Sequence, residues 1–130
     1  MNKLTAKQLL MINQKLTGDN AEIPPDVQSL LETIASAPYE QNERALYIYR
    51  DIIAKAAKLG CVLLQKRPFK HKNSQTAILS ILTFLELNGI KLIGYENDLS
   101  ELMAQLDSDD IEQVCQWINA HKAEDSIADL

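Results

Sequence analysis

The chain has 130 residues and a formal net charge of −5, enough length to bury one hydrophobic core without metal or disulfide support. The acidic balance argues against a general nucleic-acid binder. Cys61 and Cys115 have neither C-x-x-C nor metal-ligand spacing, which points to a reducing compartment and a cytoplasmic protein. No apolar run of signal-peptide shape occupies residues 1–18, and the longest apolar stretch, 77–87, is too short to span a bilayer. The expectation is one soluble domain over 1–130, with a core over 4–120 and a polar, frayed tail over 121–130.

Thr5 and Gln8 have capping-box spacing, and Leu9, Ile12 and Leu16 recur at helical intervals until Gly18 ends the first helix. After Pro24-Pro25, Asp26 is placed to cap a helix carrying Val27, Leu30, Leu31 and Ile34, which Pro38 closes. A third helical pattern runs from about 42 to 65, with Ile53, Ala56, Ala57, Gly60 and Leu64 on one face and Gly60 suited to close packing. Beyond Pro68, Asn73 is the expected cap of a helix ending at Asn88-Gly89. Positions 77, 78, 79, 81, 82, 84, 85 and 87 of that helix are all apolar, which leaves no solvent stripe. It is therefore expected to be the central, most buried segment.

Residues 91–93 read as a short extended piece. Asp98 with Glu101 then predicts the cap of a helix bearing Leu99, Leu102, Met103 and Leu106, and a last helix carries Ile111, Val114, Cys115 and Ile118. The fold class is all-α, a compact bundle of six to seven helices around a buried central helix.

Charge is unevenly distributed along this framework. Lys66 to Lys72 reads KRPFKHK, with four formal positive charges and no acid, whereas residues 95–130 hold ten acids and one lysine. Arg67, Lys70, His71, Lys72 and Asn73 are accordingly candidate anion-binding residues, against the alternative of a solvated charged turn. RNA is a lesser form of the same idea, because Phe69 is the loop's single aromatic.

The segment RPFKHKNSQT, residues 67–76, resembles the signature H-P-F-x-D-G-N-K-R-T of the Fic/death-on-curing family. DIIAKAA, residues 51–57, is similar to its D-L-F-E-K-A-A, nine residues upstream of Arg67, and TAILSILTFLELNGIKL resembles the family's buried helix. LTAKQLLMINQKL and PPDVQSLLETIASAP extend the likeness in colinear order, from about residue 4 to 120. The resemblance implies a Fic-like bundle and, in active members, transfer of AMP or phosphate from ATP and magnesium to a protein such as elongation factor Tu.

It also places Arg67 where the family has its histidine general base, and an arginine side chain stays cationic and cannot accept a proton. His71 stands at the acidic magnesium position, where nitrogen is a poor ligand for that ion. Lys72 replaces the glycine of the phosphate cradle, and Gln75 the phosphate-pairing arginine. Pro68, Phe69, Asn73 and Thr76 persist as motif remnants, all readable as turn and packing residues. Loss of a general base alone costs roughly 10²–10⁴ in rate. The expected function is that of a degenerate, toxin-derived protein without catalytic residues, cofactor or metal, acting through a protein partner such as an antitoxin-like helix. The alternative is a transferase that uses ATP with magnesium through a rearranged site.

Elsewhere, Cys61 is either a core thiol or one activated by Lys58 and Lys66, His71 either a loop residue or half of a new acid–base pair, and Trp117 a core or rim residue. His121 suits a helix C-terminus. The segment from Ser108 to Gln113 approaches, without completing, the S/T-x-x-x-E-G/N motif of inhibitory helices in the same family.

Overall fold

A computed structural model describes residues 2–124. Six α-helices run through them: α1 (Ala6–Thr17), α2 (Pro25–Ser36), α3 (Ile52–Lys66), α4 (Asn73–Leu87), α5 (Leu99–Asp107) and α6 (Ile111–His121). Short 3₁₀ turns at Ala37–Tyr39 and Glu96–Asp98 complete an all-α bundle. The expected tail divides: Lys122 pairs with Leu92 in an isolated bridge, Ala123 is buried, and residues 125–130 lie outside the described part.

The first helix starts and stops as its sequence dictates. Thr5 Oγ1 accepts the Gln8 amide while Gln8 Oε1 accepts the Thr5 amide, and Gly18 closes the helix with a left-handed φ of 74°. Helix α2 differs from expectation at its start. Pro24 holds the cap position, Pro25 opens the helix, and Asp26 lies inside the first turn, where its charge favours the dipole instead.

The third helix is shorter than its pattern predicts. Asp51 Oδ1 accepts the Ala54 amide at 2.7 Å and caps α3, while residues 42–50 form a loop. The reason is local: Asn42 Oδ1 accepts the amides of Arg44 and Leu46, and Ala45 sits at φ 59°. This Asx-type turn competes with a helix, and Gln41 bridges antiparallel to Tyr47.

Helix α3, rather than α4, is the centre of the molecule. Between Lys55 and Leu64 every residue is buried except Lys58 and Val62, because α2, α4, α5, α6 and the first 3₁₀ turn pack against it. Gly60 permits the approach of α4: a Cβ there would stand 2.3 Å from Ile81 Cδ1. Helix α4 buries Ala77, Ser80, Ile81, Phe84 and Leu85, but Leu82 and Thr83 are half-exposed and Leu87 is exposed. Its apolar circumference is therefore not matched by complete enclosure.

Candidate functional site

The basic loop is fixed by its own polar groups. Helix α3 stops at Arg67, which is left-handed at φ 43° and donates its amide to Leu63 O, and buried Pro68 then prevents continuation. Asn73 is the first residue of α4 and not its cap; that position belongs to Lys72, at φ 59°. The Asn73 side chain turns back instead, accepting the Phe69 amide at 3.0 Å and donating to Phe69 O at 2.8 Å. Thr76 Oγ1 donates to Lys72 O, and Asn13 of α1 donates to both His71 O and Thr76 Oγ1. The buried side chains of Asn13, Asn73 and Thr76 thus brace the loop from inside.

Its charged side chains go three ways. Arg67 Nη2 lies 3.5 Å from Asp107 Oδ1 of α5, both side chains being largely exposed, a pair of the kind that contributes about 0–1 kcal/mol. Lys72 Nζ donates to Leu16 O of α1 at 3.1 Å. Lys70 and His71 line a cleft of about 240 Å³ whose far wall carries Asp19 and Glu22 over apolar Leu10, Val27 and Phe69. The structure therefore brings Lys70 and His71 together beside the start of α4, and sends Arg67 and Lys72 to other elements. No side chain caps α4.

Two larger grooves open along α4. One, of about 630 Å³, runs between α1 and α4 and is lined by Leu4, Met11, Ile12 and Leu87, with Lys15 as its charged residue. Met11 and Leu87 there are 55% and 41% exposed, which leaves apolar surface open to water. The other, also about 630 Å³, lies between Leu82 and the segment 89–95, with Ile90, Leu92 and Ile93 on its wall. Two of the residues that deprived α4 of a polar stripe, Leu82 and Leu87, thus line surface grooves. Periodicity reports which faces are apolar, not what covers them.

Two further arrangements were not foreseen. Lys55 is wholly buried, and its ammonium donates to Tyr49 O under the Tyr47 ring; the alternation L-Y-I-Y over 46–49 was the available sequence signal. His121, Asp98 and Trp117 form a second cluster: His121 bonds Asp98 and Trp117 O, and Trp117 Nε1 donates to Asp98 O. Asp98 consequently does not cap α5 with its side chain. Cys61 is buried, and burial pushes its thiol up to about 12, so the activated-thiol reading gives way to core packing. Trp117 is a core residue at 3% exposure.

Among the described residues, no group of three or more His, Cys, Asp or Glu side chains could hold a metal ion, and no helix is long and apolar enough to cross a membrane. No family model, curated protein or solved structure matches the chain.

Proposed function

We propose that this protein is a degenerate relative of the Fic/death-on-curing family that has lost nucleotide-dependent transfer and acts in the cytoplasm by binding a protein partner. The observation that carries the partner half is the groove between α1 and α4, where Met11 of α1 stays exposed beside Leu87 of α4, the helix whose sequence leaves no solvent stripe. Its apolar lining, drawn from two neighbouring helices, suits an amphipathic helix laid along it. Lys15, with no acid among the lining residues, suits acidic residues on that helix's flank.

The loop supports the silent half. Arg67, at the position of the family's base, is turned to Asp107, and His71 faces a cleft that also contains acids. A phosphate clamp needs cations converging on one point, and these diverge. The left-handed backbone at Lys72, where the family has glycine, supports the relationship itself. Lys70 and His71 beside the uncapped start of α4 are the residues left for weak anion contact, and the alternative reading, ATP with magnesium, would have to begin there.

Two titrations test the proposal. Calorimetry with ATP and magnesium should give no saturable heat; saturable heat lost in Lys70→Ala/His71→Ala would overturn the silent half. A designed acidic amphipathic peptide should shift the NMR signals of Met11 and Leu87, and Met11→Asp/Leu87→Asp should abolish the effect. Helical peptides that perturb other surfaces and leave these two residues unchanged would overturn the groove.

A further inference from the structure

The cleft between the basic loop and the link from α1 to α2 holds opposite charges that do not meet. Lys70 and His71 stand on one wall, Asp19 and Glu22 on the other. Neither ion pair among the described residues joins them, and the side chains of Glu22, Lys70 and His71 make no hydrogen bond there. All four residues are exposed. Each wall therefore presents charge that the fold itself does not use.

The walls are fixed from behind. Asn13 Nδ2 donates to His71 O at 2.9 Å, and the Asn73 side chain holds both the Phe69 amide and its carbonyl. Opposite, Asp19 Oδ1 accepts the Ala21 amide at 2.9 Å, and Thr17 Oγ1 accepts the Asp19 amide. A molecule entering the cleft has little backbone to order, which lowers the cost of binding. Asn13 supplies a second, independent feature. It is 7% exposed and lines the cleft; Nδ2 donates both of its side-chain hydrogen bonds, whereas Oδ1 accepts none and stays open to the surface. That oxygen can take a donor from a bound molecule.

The occupant follows from these groups. An anion drawn to Lys70 is repelled by Asp19 and Glu22, and a cation drawn to the acids is repelled by Lys70. A molecule carrying both charges satisfies both walls, and apolar Leu10, Val27 and Phe69 between them favour a hydrocarbon body. The volume of about 240 Å³ lies below the roughly 300–1,000 Å³ of drug-sized sites, so the molecule is small. We propose that this cleft binds a small zwitterion with an apolar body, an aliphatic amino acid or a dipeptide of it: the ammonium meets Asp19, Glu22 and the Asn13 oxygen, the carboxylate meets Lys70 and His71, and the side chain covers Leu10, Val27 and Phe69. The site depends neither on the groove between α1 and α4 nor on a nucleotide.

NMR titration of the whole protein tests the site with L-leucine, L-leucyl-L-leucine, 4-methylpentanoate, which lacks the ammonium, and 3-methylbutylamine, which lacks the carboxylate. Leucine or its dipeptide should shift the amides of Glu22, Lys70 and His71 saturably, and the tighter of the two shows whether the occupant is a free amino acid or a peptide. Each single-charge compound should bind at least about tenfold more weakly. Asp19→Asn/Glu22→Gln keeps the side-chain shapes and the acceptor of the Ala21 amide. It should weaken the zwitterion at least about tenfold while 4-methylpentanoate binds as tightly as before or more tightly, a split that mere damage to the cleft would not produce. The proposal is overturned if neither leucine nor its dipeptide shifts these amides saturably, if a single-charge compound binds as tightly as the zwitterion, or if the double variant binds the zwitterion unchanged. The comparison of the four compounds on the parent protein decides the matter even if the variant does not fold.

Discussion

His121 Nε2 lies 2.7 Å from Asp98 Oδ2, while the other ring nitrogen lies 2.7 Å from Trp117 O. Both oxygens can only accept, so both bonds form together only when the imidazole carries two protons. The hydrogen bond to Asp98, then that to Trp117 O, holds the His121 pKa above the ordinary 6.5. A raised folded value means that the stabilisation is complete below the unfolded pKa and is lost as pH rises through the folded one. Wild-type stability should therefore fall with pH in the window just above 6.5, and His121→Gln should remove that slope. Denaturant unfolding at intervals across this range checks it; equal slopes in the two proteins would show that the cluster contributes nothing.

Gly60 should resist replacement. Alanine gains about 1 kcal/mol of helix propensity, but its Cβ would meet Ile81 Cδ1 at 2.3 Å, Ile81 Cγ1 at 2.7 Å and Leu106 Cδ2 at 3.2 Å. Overpacking of this kind costs about 1–3 kcal/mol, so Gly60→Ala should lower the denaturation midpoint. Ile81→Val added to it should recover part of the loss, which would set the effect between these two side chains. An unchanged or higher midpoint in the single variant would contradict the packing described.

Asn73 should matter to the loop more than to the helix it begins. Asn73→Ala removes the acceptor of the Phe69 amide and a donor to Phe69 O, which leaves partly buried polar groups unpaired at roughly 1–3 kcal/mol. Exchange protection at Phe69 should fall while Ile81 and Leu85 remain protected. A uniform loss across the bundle would mean that the side chain supports the core directly.

The two thiols should be inert in the folded state. Burial is the main cause that pushes Cys61 up to about 12 and Cys115 up to about 11, so little thiolate exists at neutral pH. Reaction with a thiol-specific disulfide reagent at pH 7.5 should be slow until denaturant is added. Rapid labelling of Cys61 in the native protein would refute its core assignment.

What the sequence revealed and what it hid follow from how each feature is encoded. Helices with local punctuation were legible: Thr5, Gln8 and Gly18 bound α1, and Asn88-Gly89 closes α4. Features that depend on a tertiary neighbour were not. Lys55 reads as an ordinary helix lysine until the 40–50 loop folds over it, and Asp98 reads as a cap until His121 arrives from 23 residues away. The basic loop was found by composition, but the divergence of Arg67 to Asp107 and Lys72 to Leu16 required the packing of α5 and α1.

The claim that transfer chemistry is absent meets its most direct test in an incubation with ATP labelled separately at the α and γ phosphates, magnesium and elongation factor Tu. Neither elongation factor Tu nor the protein itself should acquire label above a protein-free blank. Arg67 is a cation turned toward Asp107, and on the proposed relationship His71 stands in place of the family's magnesium-binding acid. Magnesium-dependent incorporation that disappears in Asn73→Ala or Arg67→Ala would contradict the account and make the loop an active site of altered composition.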